Sequence, residues 1–121
     1  PYAVPLNYAV DGDKLYIHCA KSGHKIDNIL ANPQVGFSVT GEYQTLPAKL
    51  SAAYRSVILS GTARIVEEPE VQQRALALLV EKYAPGYECR ALVSGAYSKN
   101  TAILEVAIET ISGKRSQDQP E

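Results

Sequence analysis

Cysteine and histidine are both scarce in this chain of 121 residues, with two of each, and neither sign of charge dominates. Cys19 and Cys89 are too few for a disulfide framework and lack the spacing of a zinc knuckle. A reducing, cytoplasmic setting is therefore the default expectation, with one optional disulfide. His18, Cys19 and His24 show no closed-site spacing, so no metal centre is expected. Twelve basic against thirteen acidic side chains give a formal charge of -1. That balance argues against a broad electrostatic grip on nucleic acid or on anionic membrane, while leaving room for a local cationic pocket. No apolar run is long enough to span a bilayer or to serve as a secretion signal. Gly36 to Gly41 lacks the Gly-Lys-Ser/Thr ending of a phosphate loop, which disfavours nucleotide hydrolysis. The length fits one small domain that would gain from a partner subunit, so a homodimer is expected.

What the chain does contain is alternation. Val4, Leu6, Tyr8 and Val10 share one parity and run into Asp11-Gly12-Asp13, a turn signal before Leu15, Ile17 and Cys19, which together predict a β-hairpin. Residues 22 to 31 change period, with Ile26, Ile29 and Leu30 on one helical face and Asn32-Pro33 as the stop. A strand carrying Val35, Phe37 and Val39 follows, and Gly41 through Lys49 is expected to be an exposed connection. Val57, Leu59, Ala63 and Ile65 share a strand parity, with Gly61 allowing a bulge or a close approach. Pro69 opens a second helix, over residues 69 to 84, that packs through Val71, Ala75, Leu78, Leu79 and Tyr83, with a Glu70–Arg74 pair along it. A last strand from about Asn100 has Ala102, Leu104, Val106 and Ile108 on one side. Ile103, Glu105, Ala107, Glu109 and Ile111 lie on the other, where a solvent-facing strand accounts for Glu105 and Glu109. One domain over residues 1–113 and a flexible polar tail over 114–121 are expected.

Two segments could converge on an anion, phosphate first. Ser22 can cap the helix, Gly23 lets backbone approach a ligand, and His24 and Lys25 fall in a first turn whose free N–H groups favour negative charge. Arg55 shares the parity of Val57 and Leu59, which directs its head toward the apolar side, where its planar donor fork suits two phosphate oxygens. Surface placement of both cations is the competing account.

In this order and spacing, several short words resemble the flavin-binding split β-barrels related to pyridoxamine 5'-phosphate oxidase, and most closely their nitroimidazole-resistance branch. They are Pro1-Tyr2-Ala3-Val4-Pro5-Leu6, Leu15-Tyr16-Ile17-His18-Cys19-Ala20, Gly23-His24-Lys25, Asn32-Pro33-Gln34-Val35, Tyr54-Arg55-Ser56-Val57 and Ile111-Ser112-Gly113-Lys114. The resemblance implies a mainly β fold with short helices, a split barrel that dimerises and holds FMN between subunits. Proteins of this type carry an amino-terminal helix and a first strand ahead of the segment matching Pro1-Tyr2. This chain, which opens on Pro1 without an initiating Met, is expected to lack both. By resemblance, His24, Lys25, Arg55 and Ser56 hold the flavin phosphate and His18 acts on the substrate. The activity implied is that of an FMN-dependent oxidoreductase passing electrons to a small acceptor, a nitroaromatic or nitroimidazole compound, with reduced nicotinamide as a donor. Related split barrels accept deazaflavin or haem. The alternatives are a non-catalytic flavin or small-molecule binding module, and a structural homodimer with an empty pocket.

Overall fold

The computed structural model describes residues 1–86 and 99–119. Strands β1 (Ala9–Asp11) and β2 (Lys14–Ala20) are followed by helix α1 (His24–Ala31), strands β3 (Gln34–Leu46) and β4 (Ser51–Ile65), helix α2 (Pro69–Tyr83) and strand β5 (Thr101–Arg115). They form a five-stranded sheet in the order β1-β2-β5-β4-β3, antiparallel at every pairing. Cys89 lies outside the described residues.

The first hairpin forms where the Asp-Gly signal placed it. Asp11 pairs with Lys14 across a two-residue turn, and Gly12 supplies the positive φ of 62° that the turn requires. The first strand is shorter than the alternation implied, because residues 1–8 are irregular and only Ala9–Asp11 join the ladder. Pro5 donates no backbone hydrogen bond, which suits an irregular segment.

The connection expected over Gly41–Lys49 is mostly strand. β3 runs on to a buried Leu46, with a register shift between Thr40 and Tyr43, and only Pro47–Lys49 make a 3-10 turn. The register shift absorbs Gly41 and Glu42, so the pairing with β4 survives the residues that read as loop. A second shift lies between Ser60 and Gly61, where Glu109 of β5 has no opposite number. Gly61 is obligatory there: a Cβ on it would collide with the backbone carbonyl of Ala107 and meet Val106 Cγ1 at 3.0 Å.

The first half of β5 is buried on both faces, and the two faces belong to different cores. Leu104 and Val106 join Leu15, Ile17, Leu59 and Ala63 beneath Ile26 of α1. Ile103 joins Tyr16, Val66, Ala75 and Leu76 beneath α2. Each buried aliphatic side chain of this kind contributes about 1.5–3 kcal/mol, which makes β5 the centre of the fold.

Three further expectations are corrected. Arg74 reaches across to Asp11, with Nε 2.7 Å from Oδ2, and does not need the i,i+4 partner Glu70. Glu105 is buried at 7% exposure, not solvent-facing. The polar tail does not fray at Gly113: β5 continues to Arg115, the Ser116 N–H donates to Tyr54 O, and Lys49 pairs with Asp118 at 2.8 Å.

Candidate functional site

An open groove of about 1000 Å³ lies on the α1 side of the sheet. Ile17, Ala63, Leu104 and Val106 form its floor, α1 contributes Lys25, Asn28 and Ile29, and the irregular segment 1–6 with Tyr8 makes one wall. The opposite wall is β3, and all seven residues from Gln34 to Thr40 line it. A strand face offers only alternate residues, so seven in succession means that β3 meets the groove along its edge. β3 is the last strand of the sheet, and its outer backbone N–H and C=O groups have no ladder partner among the described residues. The groove therefore joins an apolar floor to a row of alternating donors and acceptors.

The segment 1–8 is tied at both ends. The Tyr2 ring lies 4.4 Å from the His24 ring. The Tyr8 N–H donates to Tyr83 Oη, whose hydroxyl is also 3.0 Å from Tyr8 O, and Lys82 Nζ donates to the same carbonyl at 2.9 Å. Lys82 Nζ also sits 3.6 Å above the Tyr8 ring centroid. Irregular backbone is thus held against the groove by the end of α2, an anchor that strand periodicity could not reveal.

The sequence-predicted residues separate. Lys25 lines the groove and is half-buried. His24 is exposed and reaches the wall through Tyr2. Ser22 does not cap α1: Gly23 occupies the N-cap position at φ 135°, with no side-chain cap hydrogen bond. Arg55 is not among the groove-lining residues. Its side chain is 59% exposed, and its Nε lies 3.6 Å from Glu42 Oε2, so the apolar surroundings expected for its head are absent. The register shift at Thr40/Tyr43 sets Gly41 and Glu42 against Arg55, which the sequence pattern concealed. Ser56 is half-buried and pairs with Thr40, a groove residue. His18 is exposed and borders a separate cavity of about 100 Å³ with Asn7, Leu76, Leu79 and Tyr83. It lies on the α2 side of β2, opposite in parity to Ile17, so one protomer does not bring it to Lys25.

Sequence reasoning missed the β3 edge and the groove face of Asn28 and Asn32. Gln34-Val35-Gly36-Phe37 could have signalled the edge, since polar residues and glycine interrupt an otherwise apolar strand. Cys19 is a free, half-buried thiol whose pKa burial pushes up, with Lys25 pulling the other way, a shift that disfavours the thiolate. Among the described residues no cluster of His, Cys, Asp and Glu could hold a metal, and no helix is long and apolar enough to cross a membrane.

A twisted antiparallel sheet with one helix over each face and a groove along its edge strand defines a split β-barrel. A family model described as pyridoxamine 5'-phosphate oxidase matches residues 1–115, and the chain belongs to that family. Solved structures agree on the fold. A proposed 5-nitroimidazole antibiotic resistance protein from Bacteroides thetaiotaomicron is 24% identical with a TM-score of 0.72, over 93% of this chain and 68% of its own. A FAD-binding protein from Mesorhizobium loti is 26% identical with a TM-score of 0.70, over 97% of this chain and 78% of its own. A FAD- and haem-binding protein from Mycobacterium smegmatis is 23% identical with a TM-score of 0.74, over 100% of this chain and 62% of its own. The chain thus spans about two thirds of the length of such structures. No protein of curated function matches it in sequence.

Proposed function

We propose that the groove holds FMN and that the protein is an FMN-dependent oxidoreductase reducing a small acceptor, with a nitroaromatic or nitroimidazole compound as the candidate. The observation that carries this reading is the edge-on β3 wall beside an apolar floor. A flavin ring is planar and apolar on its faces, while its pyrimidine edge carries both carbonyls and an N–H. An apolar floor suits the faces, and unpaired strand groups suit the edge. The half-buried Lys25 offers a cation for the phosphate, His24 stands beside it at the helix start, and Ser56 lies one strand beyond Thr40. The relatives named for FAD and haem support a cofactor role for this fold. Flavin is favoured over haem because the donors and acceptors of the β3 edge match a pyrimidine edge, while neither His18 nor His24 lines the groove and only Tyr2 and Tyr8 there could ligate an iron.

Bound FMN would supply the redox chemistry, taking electrons from a donor such as reduced nicotinamide. The protein's part is to orient the ring against the partly exposed Ile29, Val35 and Phe37 above the buried Ile17, Leu104 and Val106, to neutralise the phosphate through Lys25, and to keep water from the floor. The groove is open, and the distal halves of β3, β4 and β5 leave Tyr43, Ile58 and Ile111 exposed at 64%, 58% and 65%. A homodimer that covers this apolar end would shield the open groove, and His18, which pairs with Ile103 at the other end of β5, would act on the acceptor only from the partner subunit.

Mass determination and visible absorbance of the purified protein test the cofactor, and sedimentation tests the dimer. Bleaching by reduced nicotinamide followed by reoxidation with a nitroimidazole tests the enzyme. A flavin-loaded protein that takes electrons from no donor is a binding module, and one that binds no flavin overturns the proposal.

A further inference from the structure

Two rows of unpaired backbone face each other across the groove. On one side, Pro33 O accepts the Ala63 N–H at 2.8 Å, one step before the Gln34/Thr62 pair of the ladder. Orientation alternates along a strand, so Val35, Phe37 and Val39 also turn their backbone groups to β4, while Gln34, Gly36, Ser38 and Thr40 turn theirs out to the groove. The stretch from Gln34 to Thr40 holds no charge and no proline, and the register shift comes after it. Among the described residues nothing blunts this edge, which is a template for another strand. On the other side, the backbone of residues 1–7 makes no hydrogen bond among the described residues; the first is that of the Tyr8 N–H to Tyr83 Oη.

Segment 1–8 has the pattern of a strand that the fold leaves unused. Tyr2, Val4, Leu6 and Tyr8 share one parity. Leu6 and Tyr8 are half-buried against the core of Leu15, Ile17 and Leu104, whereas Tyr2 and Val4 stay exposed at 53% and 40%. Pro5 biases Val4 to extended backbone. It also decides which groups can pair: Pro5 has no N–H, so it and Ala3 face outward and leave Tyr2, Val4 and Leu6 to offer both N–H and C=O inward. Direction follows from the topology. The segment leads into β1, which runs parallel to β3 because the two stand at opposite edges of a five-stranded antiparallel sheet.

We infer that segment 1–8 is a built-in closing strand: residues 2–6 cross the groove, pair in parallel with the outer edge of β3 through Tyr2, Val4 and Leu6, and close the open sheet into a barrel. The hinge is Tyr8, which Tyr83 and Lys82 hold to the end of α2. Closing turns Tyr2 and Val4 onto the floor beside Leu6 and exchanges the exposed Tyr2–His24 ring contact, at 4.4 Å, for a backbone ladder. A groove ligand and the closing strand exclude each other, so the open arrangement is the one competent to bind. The closure does not rest on the flavin reading, since any occupant of the groove displaces the strand.

Amide exchange of the full chain, read by NMR, tests the pairing, with proline as the probe. Residues 1–8 are irregular, so the open fold tolerates either of two substitutions. Val4→Pro removes an inward donor at the centre of the pairing, and Ala3→Pro removes an outward one. The Gly36, Ser38 and Thr40 N–H groups should exchange about tenfold faster in Val4→Pro than in the wild type, and at the wild-type rate in Ala3→Pro. Equal rates in all three proteins overturn the inference. Protection that falls on dilution also overturns it, because the edge is then covered by a second copy. FMN is the probe of competition: Val4→Pro should bind it about threefold more tightly than Ala3→Pro, since no closing strand must first be displaced. Equal FMN affinity in the two variants would show that strand and ligand do not compete and overturns the closure of the groove. The expected exchange pattern with no FMN binding to any of the three proteins would sink the flavin reading and uphold the closing strand.

Discussion

Glu105 lies directly opposite Arg64 on one side and Tyr16 on the other, at one level of three adjacent strands. The Arg64 Nε donates to Oε1 at 3.0 Å and the Tyr16 hydroxyl donates to Oε2 at 2.9 Å, while Arg64 Nη1 also reaches both oxygens of Glu68 at the start of α2. The neighbours of this triad in sequence are the groove floor: Ile17, Ala63, Leu104 and Val106. A one-residue slip of any of the three strands would break the triad and turn the floor to the other face. Glu105→Ala strands a buried hydroxyl and half an arginine, and should cost about 2 kcal/mol in urea unfolding. Glu105→Gln, which keeps acceptor and shape, should lose less. Equal losses would show that packing, not the polar network, sets the stability.

Stability should fall at both ends of the pH range, for separate reasons. Burial pushes the Glu105 carboxyl up, but the hydrogen bonds from Arg64 and Tyr16 outweigh it and hold the pKa below the ordinary value. A depressed folded pKa gives stability that is present above the unfolded value of 4.5 and is lost as pH drops through the folded one. Burial, with Glu105 as acceptor and nearby charge, raises Tyr16 from 10.0 to about 12. A raised value gives stability that is complete below pH 10.0 and is lost by about pH 12. Tyr16→Phe should flatten the alkaline limb and Glu105→Gln the acid limb, both measured as Tm against pH. An unchanged alkaline limb in Tyr16→Phe would assign it to other groups.

How legible this was in the sequence follows from what period alone encodes. The two helices, the hairpin turn at Gly12 and the apolar side of the last strand at Ala102, Leu104 and Val106 come from local pattern and turn chemistry, and the structure agrees on them. β3 was half missed because Gly41 and Glu42 read as loop, whereas a bulge in a long antiparallel pair tolerates them. Glu105 was misassigned because alternation tells which residues share a face but not that α2 and Arg64 cover it. The site was legible only in part. Lys25 sits in the groove wall, but Arg55 could not be located, because its surroundings depend on Glu42 and on the pairing with Arg115.

Gly61 makes a sharper test of the bulge than any side-chain deletion. Ala there would drive a methyl group into the Ala107 carbonyl, with the carbonyl carbon itself at 3.0 Å. Backbone cannot swing aside as a side chain can, so Gly61→Ala should cost on the order of 3 kcal/mol or block folding. Gly36→Ala on the neighbouring strand is the control, because a Cβ there meets only Leu59 O at an ordinary 3.8 Å. Comparable Tm values for the two variants would mean that β5 can slide past β4 and that the register shift is not fixed.

Lys25 and His18 should divide the proposed flavin chemistry between binding and turnover, because they lie on opposite faces of the sheet. Lys25 lines the groove while His18 borders the small cavity near Tyr83. Lys25→Ala should weaken FMN about tenfold through loss of a charge-assisted contact and leave riboflavin nearly unaffected. His18→Ala should leave the affinity for both flavins within about twofold, since no protomer brings its ring to its own groove. In the assembled dimer the same variant should slow reoxidation of the flavin by a nitroimidazole while reduction by nicotinamide proceeds as before. Titration by flavin fluorescence and anaerobic stopped-flow absorbance supply the four numbers. Equal weakening of FMN and riboflavin in Lys25→Ala would remove Lys25 from phosphate recognition. Normal reoxidation in His18→Ala would leave His18 as a wall of the second cavity.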